Sequence, residues 1–267
     1  LPPWRAAVMQ ARGWTWMRAR ARRTAALYDG VRLDHLVGLY RMFVRPRPSD
    51  GVAPGSGEFE PADEAAQLAL GETLVRLYQS EGLSLIAEDL GVVPDFVRAS
   101  LARMGVPGFK VLRWERAWDA PGQPFVDPSA YPERSVALTG THDTETLRPW
   151  WDSLPDHDRA GVCALASVAR HLSPGHEGTA SHATSTPLPA SVCDAVLRAL
   201  YDCPSRLVVL PVQDVFGWED RINRPATIAD VNWTWRLPDC LDDWTQQPAW
   251  ADRAVSLRAW AVESGRA

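Results

Sequence analysis

Short, continuous apolar runs recur along the chain, and longer stretches with helical spacing separate them. The runs are GVRLD (30–34), LSLIAE (83–88), GFKVLRW (108–114), SVALTG (135–140) and RLVVLPV (206–212). Helical spacing covers 4–27, where Trp4, Val8, Met9, Trp16 and Leu27 mark an apolar stripe, then 63–80, 93–104, about 143–152, 155–171 and 189–202, and the Trp-rich tail 240–262. Pro94 suits the first turn of its helix, where a missing N–H costs nothing, and Gly105 suits the C-terminal cap. Pro/Gly/Ser-rich stretches at 45–57 and 173–190 read as surface loops, with His171 at the edge of the second, His176 and His182 within it, and all three solvated. Apolar strands alternating with helices predict an α/β fold with a parallel sheet covered by helices.

That pattern fits either a doubly wound sheet or a (β/α)8 barrel. Acidic residues separate the two. Asp34, Glu88 and Asp143 each stand at or just beyond the end of a different predicted strand, the placement of catalytic groups in barrels. No G-x-G-x-x-G follows the first strand and no G-x-x-x-x-G-K occurs anywhere, so the nucleotide-binding folds lack their signature. Five predicted strands rather than eight, and a start without Met, lead to the expectation that only the later strands and helices of a barrel lie in residues 1–267. On that expectation the isolated chain folds poorly or turns over far more slowly than a closed barrel, because closure removes exposed sheet edges.

Composition narrows the partners. The 267 residues suffice for one large domain or two small ones, 46% are apolar, and the net charge is -5. A mildly acidic chain argues against nucleic acid, and nothing approaches the roughly 20 apolar residues of a membrane span. With no secretory signal visible, a cytoplasmic location is expected. Cys163, Cys193, Cys203 and Cys240 form no C-x-x-C pair and read as buried free thiols in a reducing compartment.

The three acids fit one kind of chemistry. In VRLDH (31–35), residues two apart on a strand face the same side, so Arg32 and Asp34 point together. A neighbouring guanidinium favours the ionised carboxylate that a nucleophile needs. Glu88 ends an apolar strand, and partial desolvation favours the neutral carboxyl of a general acid; Asp89 beside it could serve as a helix N-cap. Asp143 lies in Gly140-Thr141-His142-Asp143-Thr144, a polar run in which His142 could bond a sugar hydroxyl and Asp143 could alternatively cap the next helix. Each acid alone could be structural. Together they supply nucleophile, acid/base and third carboxylate, the set that glycosidic-bond chemistry requires.

These motifs resemble the 4-α-glucanotransferases (amylomaltases, or disproportionating enzymes) of glycoside hydrolase family 77. VRLDH resembles the family's nucleophile strand. IAEDLGVVP (86–94) with GVPGFKVLRW (105–114) resembles its acid/base segment, and TGTHDTET (139–146) its third-acid segment. LPVQDVFGWEDRINRPAT (210–227) and NWTWRL (232–237) resemble its C-terminal signature. The resemblance implies a TIM barrel of the alpha-amylase-like type, with Asp34 as nucleophile, Glu88 as acid/base and Asp143 as transition-state stabiliser. It implies Arg32 and His142 at the same sugar subsite, His35, Gln213, Asp214 and Asn223 as further substrate-binding residues, and Arg221 and Asn232 in the late signature.

It further implies transfer of an α-1,4-glucan segment to the 4-hydroxyl of a glucose or maltooligosaccharide acceptor through a covalent glycosyl-enzyme, without metal or organic cofactor. A hydrolase with the same acids and a non-catalytic glucan-binding remnant are the alternatives. The family continues its nucleophile motif with an aromatic and Arg-Gly, whereas this chain has His35-Leu36-Val37-Gly38. Among the 13 tryptophans, Trp150, Trp151, Trp244, Trp250 and Trp260 read as packing residues. Trp114 and Trp118, beyond a strand end, are candidates for stacking on sugar.

Overall fold

The computed structural model describes residues 4–46, 56–172 and 185–267. Most of the two predicted surface loops, with His176 and His182, lies outside these residues. The chain separates into two compact units, Leu1–Phe109 and Lys110–Ala267.

The first unit opens with α1 (Ala6–Ala11) and α2 (Thr15–Ala25). The single helix predicted over 4–27 is broken between them, where Gly13 and Trp14 take left-handed φ values of 63° and 57°. Two such residues reset the helical phase, so a period counted across them selects the wrong face. Trp14, Met17 and Ala21 are buried, whereas Val8, Trp16 and Leu27 are exposed. Next come β1 (Gly30–Leu33), the one-turn α3 (Val37–Tyr40), the hairpin strands β2 (Met42–Val44) and β3 (Glu58–Glu60), and α4 (Glu64–Gln79), whose first turn is capped by Asp63. β4 (Ser84–Ala87), α5 (Asp95–Met104) and β5 (Gly108–Val111) follow.

Pro94 is the N-cap of α5 rather than a member of its first turn, and Gly105 closes the helix at φ 70°. β1 runs parallel to β4, with Leu33 opposite Ala87, and β4 runs parallel to β5, with Ala87 opposite Gly108. Leu36, Tyr40, Leu74, Val75 and Val97 are fully buried beneath these strands; each such side chain contributes about 1.5–3 kcal/mol of hydrophobic stabilisation.

In the second unit the run predicted as a strand to 114 turns into a 3-10 helix, Leu112–Trp114. β6 (Ser135–Leu138) is buried along its whole length. The helices α6 (Leu147–Ser153), α7 (Asp156–Ala164), α8 (Ala166–Ala169) and α9 (Ala190–Tyr201) follow. Then come β7 (Leu207–Val208), α10 (Val212–Phe216), a 3-10 helix at Leu241–Gln246 and α11 (Pro248–Glu263).

β7 is parallel to β6, with Val136 opposite Leu207. It is far shorter than the predicted 206–212, because Pro211 lacks an N–H for a ladder and caps α10 instead. Trp151, Val162, Val192 and Leu197 are fully buried, with Trp150 and Trp260 in the same core. Trp250 is buried too, its ring centroid 3.8 Å from the half-buried Trp244.

Two expectations about reactive side chains change. Cys163, Cys193 and Cys203 are buried and free, and burial pushes the thiols of Cys163 and Cys193 up to about 11 and about 12, which leaves them unreactive. Cys240 is exposed, since it caps a surface 3-10 helix. His171 is not solvated: its Nε2 lies 2.6 Å from Asp202 Oδ2, and its side chain is only 12% exposed.

Asp127 clasps two segments of this unit. It caps the 3-10 helix Pro128–Ala130 by accepting from Ser129 N at 2.9 Å, and it accepts from Ser167 N of α8 at 2.9 Å. Burial works against its charge, but the hydrogen bonds from Ser129 and Ser167 outweigh that and hold the carboxyl at about 2. A lowered folded-state value stabilises the fold above the unfolded value, near 4, and that stabilisation is lost as pH falls toward 2. Thermal melts between pH 5 and pH 2.5 will therefore fall more steeply for the parent than for Asp127→Asn. Parallel curves would remove Asp127 as the cause.

Candidate active site

In the first unit the ends of β1 and β4 are tied together at the predicted acids. Glu88 N donates to Leu33 O at 2.9 Å, and Leu36 N donates to Glu88 O at 3.0 Å. The Glu88 side chain completes the link: Oε2 accepts from His35 N at 2.6 Å and Oε1 from Leu90 N at 3.1 Å. His35 itself takes a left-handed φ of 44°, which turns the chain back so that Leu36 N reaches Glu88 O. A non-glycine residue in that region costs about 1–3 kcal/mol, and a hydrogen bond to a carboxylate contributes about 1.5–3 kcal/mol, so the turn after Asp34 and the Glu88 carboxylate hold each other in place. Half-burial with two N–H donors is a polar setting, not the apolar one suggested by the strand before Glu88.

Asp34 sits one residue before that turn. Its Oδ1 is 2.6 Å from Arg32 Nη2, as the strand alternation predicts, and the Arg32 guanidinium lies over the Phe109 ring at 5.5 Å. The Asp34 side chain is 73% exposed, so this pair adds at most about 1 kcal/mol to stability; its effect is to orient the carboxylate and balance its charge. Asp34 and His35 line an open cleft that continues along Leu39, Arg41 and Phe43.

Asp89 caps no helix. It is buried, accepting from Arg98 Nη1 at 2.9 Å and from Phe109 N at 2.8 Å. Gly108 makes room for it: a Cβ there would stand 2.5 Å from an Asp89 oxygen.

Asp143 belongs to the second unit. The threonines of its motif build the turn that carries it: Thr144 N donates to Thr141 O at 3.1 Å, and Thr141 N donates to Thr144 Oγ1 at 3.0 Å. The helix predicted from 143 therefore begins only at Leu147, and Asp143 does not cap it. Asp143 Oδ1 accepts from Asn223 Nδ2 at 2.6 Å and lies 3.4 Å from His142 Nε2. Arg221 donates to the Asp143 carbonyl and, through Nε, to Asn223 O at 2.7 Å. Asp143 Oδ2 has no partner among the described residues, and the side chain is 43% exposed. The result is an aimed carboxylate with one oxygen available to a hydroxyl.

The structure buries part of the late signature. Asp214 is 1% exposed, and both of its oxygens are used. Oδ1 accepts from Leu147 N at 2.6 Å, capping α6, and Oδ2 accepts from the Thr139 hydroxyl. Burial raises its pKa above the ordinary carboxylate range, against those two bonds and the nearby Arg113. It clasps the segment beneath the Asp143 turn, and with Gln213 it lines the small pocket there. Gln213 is buried at 2% beside it. Asn232 closes its own loop, accepting from Arg224 N at 3.0 Å and donating to Thr227 O at 3.2 Å. Trp114 and Trp118 are exposed and stack on no other ring among the described residues.

Three contributors escaped the sequence reading. Arg113, buried, bonds Thr139 O at 3.1 Å and Glu145 Oε1 at 3.0 Å. Glu145 itself is 3.6 Å from Arg221. Trp233 lies beside His142, with ring centroids 5.2 Å apart. The only signal for the last was the aromatic run NWTWRL.

Two solved structures that match this fold are amylomaltases. The Streptococcus agalactiae amylomaltase in complex with acarbose matches with a TM-score of 0.70 at 23% identity, covering 99% of this chain and 47% of that one. The Corynebacterium glutamicum amylomaltase matches with a TM-score of 0.74 at 23% identity, covering 96% and 39%. The fold is accordingly that of part of a (β/α)8 TIM barrel.

The model of glycoside hydrolase family 77, 4-alpha-glucanotransferase, matches residues 1–242, and the chain belongs to that family. The 4-alpha-glucanotransferase of Chlamydia caviae is 31% identical over 235 residues, covering 86% of this chain and 41% of the relative. The chloroplastic/amyloplastic enzyme of Solanum tuberosum is 30% identical over 240 residues, covering 88% and 36%. The chain thus spans about two-fifths of the length of these relatives.

Proposed function

We propose that this chain supplies the C-terminal part of the catalytic barrel of a 4-α-glucanotransferase. The observation that carries the reading is the link between strand ends, where Glu88 accepts from the N–H of the residue after Asp34 at 2.6 Å. It brings the Asp34 turn and the Glu88 carboxyl group together, as a double displacement requires. Asp34 attacks the anomeric carbon of an α-1,4-linked glucose, while Glu88 gives its proton to the departing glycosidic oxygen. The glucan segment is then held as an ester on Asp34. Glu88, now the base, takes the proton from the 4-hydroxyl of a glucose or maltooligosaccharide acceptor, which displaces Asp34 and restores the α configuration. Arg32, 2.6 Å away, keeps Asp34 aimed. Asp143, held by Asn223 and beside His142, binds ring hydroxyls as the sugar flattens.

Membership of the 4-alpha-glucanotransferase family supports the substrate class. The three buried free thiols fit a reducing compartment such as the cytoplasm. Among the described residues no helix is long and apolar enough to cross a membrane.

The full-length protein carrying this sequence, incubated with maltotriose, will produce glucose and a ladder of longer maltodextrins. Glucose and maltose alone would mean that water, not sugar, resolves the intermediate, and would overturn the transfer reading.

A further inference from the structure

We propose that Trp233 is a sugar-stacking residue beside Asp143, with one side of its indole packed on His142 and the open side taking the C–H face of a glucose unit. The inference rests on the glucan reading of the site and adds a binding residue to it.

Trp233 is held in an unusual backbone state. Its φ is 64°, a region that a bulky residue enters only when its surroundings impose it, and such outliers cluster at ligand sites. The surroundings here are the Asp143 turn and the late loop, fastened to each other. Trp233 N donates to Ile222 O at 2.8 Å, and Asn223 N donates to His142 O at 3.1 Å. Asn223 also holds the Asp143 carboxylate, so the backbone that places Trp233 also places Asp143. The indole meets the His142 imidazole at 5.2 Å with a 39° tilt, yet Trp233 remains 60% exposed. A large aromatic ring backed on one side and open to solvent on the other offers a flat apolar surface next to hydrogen-bonding groups.

The charges nearby select the ligand. Asp143, Glu145 and Asp220 surround or line the adjoining pocket, which disfavours a nucleotide or any other phosphate-bearing ring. Arg221 is already committed to Asp143 O, Asn223 O and Glu145. A neutral polyol with one apolar face fits both the ring and the free Asp143 oxygen.

The informative substitution is Trp233→Gly. It removes the ring, while glycine accepts the left-handed backbone without cost, so the fold is spared. In the full-length protein carrying this sequence, Trp233→Gly will raise KM for maltotriose about tenfold, about 1.4 kcal/mol. Its kcat will stay within about twofold of the parent's and Tm will not fall; Trp233→Phe will recover most of the loss. An unchanged KM in Trp233→Gly, with parental turnover intact, would overturn the stacking role alone. So would a fall in kcat at constant KM, since the residue would then act only by positioning His142. If the parent neither binds nor converts maltotriose, the glucan reading fails, and the proposal fails with it.

Discussion

Replacing Asp34 with alanine in the full-length protein carrying this sequence will lower maltotriose disproportionation by about 10^4-fold or more, the scale of loss when a covalent mechanism loses its nucleophile. The fold will be spared. Asp34 is 73% exposed, and among the described residues its side chain pairs with Arg32 alone, so melting will shift by no more than about 1 kcal/mol. Removing Glu88 will cost about 10^2–10^4-fold, the range of general acid–base catalysis. Stability will fall as well, because His35 N and Leu90 N lose their acceptor.

The two roles separate by chemistry. Azide added to Asp34→Ala with an activated α-glucosyl donor will give the inverted glycosyl azide, since the anion attacks directly where Asp34 stood. Azide added to Glu88→Ala will give the retained product, since it displaces the ester on Asp34. If both substitutions leave turnover intact, the catalytic assignment is wrong. If the product configurations are exchanged, the two roles are.

Asp214→Ala will destabilise the second unit by about 3 kcal/mol, from two buried donors left unsatisfied at about 1–3 kcal/mol each. The donors are Leu147 N, which opens α6, and the hydroxyl of Thr139, the residue after β6. For a unit of this size that corresponds to a fall in Tm of about 6–12 °C. Asp214→Asn will cost much less. The asparagine carbonyl can still accept from Leu147 N, and the Thr139 hydroxyl can turn to accept from the amide. Asparagine also removes a charge whose pKa burial already raises. Differential scanning calorimetry of the three forms gives the comparison. A change in KM with no change in Tm for Asp214→Ala would mean that Asp214 acts on substrate and not on the fold.

The site was legible wherever the relevant spacing is local. Arg32 and Asp34 meet because strand residues two apart share a face, and that rule needs no tertiary information. The same holds for Gly105 ending α5 and for the strand ends that carry Asp34 and Glu88. The reading failed where a local interruption resets the pattern, as at Gly13 and Trp14. It failed again where burial redirects a polar side chain: Asp89, read as a possible helix N-cap, is buried and clasped by Arg98 and Phe109 N instead.

By itself the sequence determined the parallel β/α pattern, the placing of Asp34 and Glu88 directly after strand ends and the order of the motifs that carry the three acids. Hydrophobic periodicity and residue chemistry are written one position at a time. Only the tertiary structure decided that Glu88 holds the turn after Asp34, that Asn223 and Arg221 hold Asp143 across about 80 residues of chain, and that Trp233 lies against His142. Those contacts join residues far apart in sequence. Their geometry depends on where the backbone returns, and no local spacing encodes that.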